Sequence, residues 1–126
     1  MTRPEDVILA EIQAAFSTTA FGRPNRLWRN AVADCYVGKL ISGKVGGTIT
    51  IAHSRMIHAG LPEGSADLIG FTWEGRILSI EVKRPGQRLR PDQRKWRDMV
   101  LDFNGLAGTA HNVEEAGLII SGNKRD

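Results

Sequence analysis

The chain is poor in cysteine and in long apolar runs, and each shortage excludes a class of protein. Its one cysteine, Cys35, cannot close an internal disulfide, so we expect a reducing, cytoplasmic setting. No run approaches the roughly 18 apolar residues that a membrane-spanning helix needs, and we expect neither a membrane span nor a signal peptide. His53 and His58 lack partners at the spacing of a zinc site, so we do not interpret them as metal ligands or catalytic residues.

The size and charge of the chain further restrict the classes of protein to which it can belong. Its 126 residues suffice for one hydrophobic core, so the sequence predicts a single domain spanning residues 1–126. The formal net charge is only +3, but basic residues are concentrated between residues 83 and 97, where Asp92 is the one acid. They are Lys83, Arg84, Arg88, Arg90, Arg94, Lys95 and Arg97. Such a cluster attracts phosphate backbones, although a solvated helix face is the ordinary alternative.

Residues 67–83 have the pattern of a β-hairpin. Two runs rich in Ile, Leu, Phe and Val flank a Trp-Glu-Gly segment that ends at Gly75. A three-residue loop usually ends in a residue with positive φ, which glycine adopts without steric cost. Such a loop places Asp67 opposite Glu81, whereas a two-residue loop would move Glu81 to the other face. We predict the three-residue loop.

In that register the carboxylates of Asp67 and Glu81 share a face, with Cβ atoms roughly 5 Å apart. Lys83 lies on the same face, two residues beyond Glu81. Two carboxylates this close repel each other unless a cation lies between them. Hard oxygen ligands suit Mg²⁺ or Mn²⁺, and the carbonyl of Val82 is a candidate third ligand. A Glu-x-Lys is ordinarily a solvated ion pair, but residues 78–82 are too apolar for a plain surface strand.

A first helix is expected to follow a capping box at residues 2–5 and to run to about Phe16. Helical periodicity places Glu5 in the middle of its apolar stripe and Glu11 at the edge. Glu5 therefore has two interpretations, which do not exclude each other. It caps the helix N-terminus, where a carboxylate is favourable, or it points into the metal site as a further acid.

Several segments resemble the PD-(D/E)xK nuclease superfamily, and more closely its VRR-NUC family, which occurs in phage proteins and DNA-repair nucleases. The segments are residues 64–70, 80–83 and 91–93, with further matches at 3–5, 27–30 and 112–115. An isolated Glu-x-Lys has little specificity. An Asp before a hairpin, Glu-x-Lys after it and a helix-opening Gln93 are together fairly specific. The family often has Pro before the aspartate, where this chain has Ala66, and Ser or Thr before the helix, where it has Arg90.

The resemblance implies an α/β fold with a restriction-endonuclease-like core, a mixed β-sheet flanked by helices in the order α-β-β-β-α-β. It implies hydrolysis of DNA phosphodiester bonds with Mg²⁺ or Mn²⁺, and no small-molecule cofactor. The expected metal ligands are Asp67, Glu81, the Val82 carbonyl and Glu5, because the family carries a first-helix glutamate that helps to bind metal.

The remaining site residues are expected to act on water, on charge and on the DNA backbone. Lys83 orients or deprotonates the attacking water or stabilises developing charge, and Gln93 orients Lys83 or a metal-bound water. DNA contacts without base specificity are expected from Arg29, Asn30, Arg84, Arg88, Arg90 and Arg94.

The sequence shows no separate DNA-recognition domain. We therefore expect structure-selective cleavage, with branched or junction DNA as the partner. Stand-alone members of the family resemble Holliday-junction-resolving enzymes that act as homodimers, and the candidate interface residues here are Val37, Leu40, Ile41 and Ile57. Other hypotheses remain open. They are a sequence-specific restriction-type subunit, a DNA-binding protein without activity, and a subunit that depends on a helicase or packaging machine.

Further elements are expected along the chain. Residues 27–37 are read as one strand running into a loop, and residues 38–47 as a long hairpin or mobile loop. Pro91 starts a second helix that Gly105 ends as the C′ glycine, with an apolar stripe at Trp96, Met99, Val100 and Phe103. Residues 106–111 are expected to form a last strand, and residues 112–115 a short capped helix.

Overall fold

The computed structural model describes residues 3–17 and 25–122. Thr2 of the predicted capping box, residues 18–24 of the predicted linker and residues 123–126 of the predicted frayed tail lie outside the described residues. The helices and strands in the described part are α1 (Glu5–Phe16), β1 (Arg26–Arg29), β2 (Ala33–Gly43), β3 (Ile49–Ala59), β4 (Leu68–Phe71), β5 (Ile77–Val82), α2 (Pro91–Asp102), β6 (Leu106–Ala110) and α3 (Val113–Ile120).

The chain divides into two compact units. The first comprises Met1–Asn30 and Pro62–Asp126, and the second is Ala31–Leu61. The first unit carries the three described helices and a four-stranded sheet, and the second is the two-stranded hairpin of β2 and β3. The single domain over residues 1–126 stays a prediction.

The sheet of the first unit has the strand order β1-β4-β5-β6. The β1–β4 and β4–β5 pairs are antiparallel, whereas β5 and β6 are parallel, so the sheet is mixed. One face is apolar and packs against α1 and α3, and the buried cluster there includes Ile12, Leu68, Ile80 and Ile119. The other face is partly covered by α2, whose Trp96 donates from Nε1 to Ser79 Oγ at 2.9 Å. The predicted α/β fold with a mixed sheet flanked by helices is confirmed, and it is consistent with a restriction-endonuclease-like core.

The β4–β5 hairpin has the predicted register. Leu68 pairs with Ile80, and the Thr72 N–H donates to the Arg76 carbonyl at 2.9 Å. Gly75 has a φ of +83°, the left-handed conformation that ends a three-residue loop. This register extends to Asp67 and Glu81, which therefore face each other at the open end of the hairpin.

The C-terminal end of α2 differs from the prediction. The left-handed residue after the helix is Asn104, with a φ of +66°, and not Gly105. Gly105 is required for another reason, because a Cβ there would lie 2.4 Å from Ile77 Cγ2. Phe103 lies beyond the last helical residue and is 80% exposed, so its predicted place in the apolar stripe is wrong.

The elements after α2 agree with the sequence more closely. The strand β6 falls within the predicted residues 106–111. Asn112 Oδ1 accepts a hydrogen bond from the Glu115 N–H at 2.8 Å, which confirms the predicted cap. The helix continues to Ile120 because Ala116 and Ile119 are buried in the core, so it is longer than predicted.

The second unit corrects the predicted strand at residues 27–37. Pairing of β1 ends at Arg29, and a separate strand, β2, begins at Ala33 and pairs with β3. The glycine-rich segment does form a long hairpin, with register shifts that fit a positive φ of 53° at His53. His58 lies 3.3 Å from Asp34 Oδ1, an internal contact of the hairpin. In the described part of the chain, no helix combines the length and apolar character needed to cross a membrane.

Candidate metal centre and nuclease site

Asp67 is fixed at the start of β4 by contacts with neighbouring strands. The Val82 N–H donates to Asp67 Oδ2 at 2.9 Å, and the Asn30 N–H donates to the Asp67 carbonyl at 2.8 Å. The side-chain amide of Asn30 also donates to Ser65 Oγ at 2.8 Å and to the Ala66 carbonyl at 2.9 Å. The segment that carries the carboxylate is therefore held to the end of β1.

Asn30 therefore has a structural role that the sequence does not predict. Its Nδ2 atom is occupied by two hydrogen bonds within the protein. Its contact with DNA stays a prediction, while the structure shows it positioning the chain that leads to Asp67. Its neighbour Arg29 is exposed and lines a pocket together with Asp67.

Glu81 is buried beside Asp67, with only 7% of its surface exposed. Burial raises the pKa of Glu81 to about 9, with further increases from the charge of Asp67 and a hydrogen bond to it. The nearby charges of Lys83 and Arg90 act in the opposite direction on this pKa. Without a cation, the pair relieves its repulsion by keeping a proton on Glu81.

Gln93, at the start of α2, contacts Glu81 and not the predicted Lys83. Its Nε2 donates to Glu81 Oε1 at 3.0 Å, and its Oε1 accepts from the Arg90 N–H at 2.9 Å. Both partners are needed because Gln93 is only 6% exposed. The residue therefore fixes the orientation of the carboxylate, and its catalytic role stays a prediction.

Lys83 follows the last residue of β5 and is partly exposed. Its backbone N–H donates to the Ala110 carbonyl at 3.1 Å, which continues the pairing of β5 with β6. Strand alternation places its side chain on the face that carries Glu81. Its charge lowers the pKa of Glu81, which is consistent with an ammonium group close to the carboxyl pair.

Of the two first-helix acids, Glu5 lies near the site. A pocket of about 220 Å³ is lined by Glu5, Asp6, Leu9, Arg29, Asp67 and Val82. Glu11 instead forms an ion pair with Arg3, which lowers the pKa of Glu11. Pro4 occupies the N-cap position, without a side-chain capping bond, so the predicted capping box at residues 2–5 is wrong.

The site offers few acidic side chains as ligands for a divalent ion. Among residues 3–17 and 25–122, no three His, Cys, Asp or Glu side chains form a group that could hold a metal. The site offers the Asp67–Glu81 pair, with Glu5 across a pocket from Asp67. This suits a cation that retains several water molecules and needs few protein ligands, as Mg²⁺ does.

The predicted DNA-binding arginines follow Lys83 along the chain. Arg84, Arg88, Arg90 and Arg94 are all exposed. Arg90 pairs with Asp92 at 3.3 Å, and Arg94 donates to the Leu89 carbonyl at 2.8 Å. These contacts leave both guanidinium groups at the surface, on the loop and helix turn that follow the site.

Gln87 and His111 belong to the surroundings of the site but were missed in the sequence. With its side-chain amide oriented to satisfy both neighbours, Gln87 donates from its amide nitrogen to Glu5 Oε1 at 2.6 Å. Its amide oxygen then accepts a hydrogen bond from the Arg84 guanidinium at 2.8 Å. His111 Nδ1 lies 3.1 Å from a Glu115 carboxylate oxygen, and Nε2 lies 3.5 Å from the Gln87 carbonyl. The i, i+4 spacing of His111 and Glu115 was the available signal.

The mixed sheet, with Asp67 and Glu81 at the open end of its hairpin and Lys83 beyond them, is consistent with a nuclease of the PD-(D/E)xK type, which a VRR-NUC domain implies. The family model for the VRR-NUC domain matches residues 47–114, more than half of the chain, and the chain belongs to this family. No curated protein and no solved structure matches the chain. The matched residues include Asp67, Glu81, Lys83 and Gln93, whereas Glu5 lies before them. Nucleases of this type act on DNA and generally use divalent metal ions.

Proposed function

We propose that the protein is a Mg²⁺- or Mn²⁺-dependent DNA endonuclease that cleaves branched DNA, in the manner of a Holliday-junction resolvase. The observation that carries the proposal is the contact between the buried Glu81 and the partly exposed Asp67, where burial and the neighbouring carboxylate raise the pKa of Glu81 so that it keeps a proton. A divalent cation that replaces the proton neutralises both charges. The family membership supports the same chemistry.

The chain divides the work among a few side chains. Asp67, Glu81 and the Val82 carbonyl would hold the ion, with Glu5 extending the site across the pocket. The bound ion supplies Lewis acidity to the phosphate and lowers the pKa of water. Lys83 positions or deprotonates the nucleophile, or stabilises the negative charge that develops at phosphorus.

Two amides support the acids. Gln93 holds the Glu81 carboxylate from α2, and Asn30 holds the segment of Asp67 from the end of β1. They act by limiting the positions of the two carboxylates, and such positioning contributes strongly to rate.

Affinity for DNA would come mainly from phosphate contacts. Arg84, Arg88, Arg90 and Arg94 are exposed, and Arg29 is exposed at the pocket of Asp67. Phosphate contacts orient a duplex without reading its sequence, so they are compatible with recognition of DNA shape.

Symmetric cleavage of a four-way junction requires two sites, which a homodimer supplies. The hairpin of β2 and β3 exposes several large apolar side chains, among them Leu40 at 61% and Ile41 at 57%. Ile57 is also exposed, and Val37 is partly buried. Exposed apolar groups of this kind mark interaction surfaces, and a second copy of the chain would form an isologous C₂ contact.

The test is a cleavage assay on four-way, flap, linear duplex and single-stranded DNA with Mg²⁺, Mn²⁺ or EDTA. We expect paired, symmetric cuts in the four-way junction with metal and none with EDTA. The matched control is Glu81→Gln, which keeps the shape of the side chain and removes its charge. Cleavage in EDTA would contradict the metal dependence, undiminished cleavage by Glu81→Gln would contradict the role of Glu81, and no cleavage of any of these DNAs would contradict the nuclease assignment. Cleavage of linear duplex alone would contradict only the junction preference.

A further inference from the structure

The open half of the sheet carries a pair of exposed aromatic rings. Trp28 in β1 and Phe71 in β4 make an edge-to-face contact, with ring centroids 5.4 Å apart and an interplanar angle of 76°. Trp28 is 50% exposed and Phe71 is 52% exposed. A third ring, Trp73, is exposed in the turn that follows β4.

Trp28 and Phe71 lie on the sheet face that carries the acid pair. Trp28 pairs with Ile69, and cross-strand partners point to the same face. Ile69 and Phe71 alternate with the buried Leu68 and Gly70, and continuing this alternation backwards reaches Asp67. Asp67 lies two residues, or about 7 Å along the strand, from Ile69.

Helix α2 covers the other half of this face. Trp96 of α2 bonds to Ser79, and Gln93 bonds to Glu81, so the cover lies over β5. Trp28 and Phe71 remain half exposed on β1 and β4. The chain has few aromatic residues, three Trp, one Tyr and four Phe. Three of them are exposed on two adjoining strands and in the turn that follows β4. Rings that served only to pack the core would be buried, so their exposure needs another explanation.

The charges around the rings indicate what would cover them. Arg29 follows Trp28 in β1 and pairs with the buried Leu68, so its side chain lies on the opposite face from the rings, where it lines the pocket of Asp67. Arg26 is exposed and pairs with Phe71 across the strands. A flat apolar surface with the guanidinium group of Arg26 on the same face is complementary to nucleotides, whose bases stack on aromatic rings while their phosphates meet cations.

We propose that Trp28 and Phe71, with Trp73 beside them, form a stacking platform for unpaired bases of the DNA strand whose phosphate lies at Asp67 and Glu81. The inference rests on the proposed function and names its substrate class, DNA with unpaired nucleotides next to the cut. Branch points and flaps supply such nucleotides, whereas continuous duplex does not.

The test measures DNA binding in EDTA, so that it is independent of cleavage. Fluorescence anisotropy compares a labelled single-stranded oligonucleotide with a duplex of the same length. The variant is Trp28→Leu with Phe71→Leu, and the matched control is Trp28→Tyr with Phe71→Tyr, which retains stacking rings. We expect the leucine variant to bind the single strand about tenfold more weakly or worse, with duplex affinity changed less than about twofold. The tyrosine variant should keep most of the single-strand affinity.

A second measurement covers the case in which the leucine variant does not fold by circular dichroism. Saturating single-stranded oligonucleotide should quench the tryptophan fluorescence of the unaltered protein, and Trp28→Phe should lose part of that quenching.

Three outcomes would overturn the platform. They are an equal loss of affinity for both DNAs in the leucine variant, no loss of affinity for either DNA, and no quenching of the unaltered protein. A change in mass by light scattering with unaltered DNA affinity would also overturn it, and would identify a protein interface instead. Strong single-strand binding by a protein that cuts no DNA would retain the platform and remove only the nuclease.

Discussion

The amide nitrogen of Gln93 donates a hydrogen bond to Glu81 Oε1 at 3.0 Å, in a place where both side chains are buried. The same amide accepts a bond from the Arg90 N–H through its oxygen. One side chain therefore completes the N-terminal turn of α2 and fixes a metal-site carboxylate. The position of the acid depends on the docking of the helix.

Replacing Gln93 tests that dependence. We expect Gln93→Leu to lower the free energy of unfolding by about 1–3 kcal/mol, because a buried carboxyl oxygen and a helix N–H lose their partner. Cleavage should fall as Glu81 becomes free to reorient. Urea denaturation and a single-turnover assay measure the two effects. Unchanged values in both would show that the hydrogen bond has no role.

Asn30 and Arg29 are neighbours with different expected roles, and each serves as the control for the other. Asn30→Ala should destabilise the fold by about 1 kcal/mol or more, because Ser65 and Ala66 lose a part-buried hydrogen-bond partner, and should also lower cleavage. Arg29→Ala should weaken DNA binding and leave stability within about 0.5 kcal/mol of the starting protein. The reverse pattern in denaturation and anisotropy experiments would be incompatible with these roles.

Lys83→Met tests whether the lysine acts in the transition state. We expect metal binding to persist while single-turnover cleavage falls by about two orders of magnitude or more, since the lost interaction stabilises developing charge. Calorimetry with Mn²⁺ and quench-flow kinetics give the two quantities. Normal chemistry at saturating metal, combined with weak metal binding, would show that Lys83 serves the metal site instead.

The arginines after the site are tested through salt dependence. Removing Arg88 and Arg94 together should weaken binding similarly for all sequences and reduce the slope of log K against log salt by about two units, one for each phosphate contact. Anisotropy titrations over a range of salt concentrations measure the slope. A change in which sequence is cut would mean that these side chains read bases.

The sequence predicts the centre of the site better than its surroundings. The three-residue loop ending at Gly75 was deducible because the apolar alternation of the strands and one glycine allow few registers, and that register brings Asp67 to Glu81. The role of Asn30 was not deducible, because its partners Ser65 and Ala66 are far along the chain. Local patterns do not report such long-range hydrogen bonds.

The ends of elements were also difficult to predict. Asn104 takes the left-handed position that Gly105 was expected to fill, whereas Gly105 is required for close packing against Ile77. A glycine after a helix satisfies either need, and the sequence does not distinguish them. The split of residues 27–37 into β1 and β2 likewise has no local signal, because the two strands pair with different partners, β1 with β4 and β2 with β3.

Stability should depend on pH through Glu81. Its pKa in the folded protein is raised from 4.5 to about 9, so the folded state holds a proton that the unfolded state releases between these values. More protons bound to the folded state mean that stability falls as pH rises through that window. Urea denaturation at pH 5 and pH 8 should show a loss attributable to this group in the starting protein, and a smaller loss in Glu81→Gln. Equal losses in both proteins would contradict the assignment.

Calorimetric titration with Mn²⁺ tests the central claim most directly, because it reports metal binding and proton release in one experiment. At about pH 7.5 in buffers of different ionisation enthalpy, we predict one binding event at the Asp67–Glu81 pair that releases about one proton from Glu81. Asp67→Asn should weaken binding strongly, and Glu81→Gln should weaken binding and abolish the proton release. Mn²⁺ binding of equal affinity in the starting protein and both variants would contradict the account.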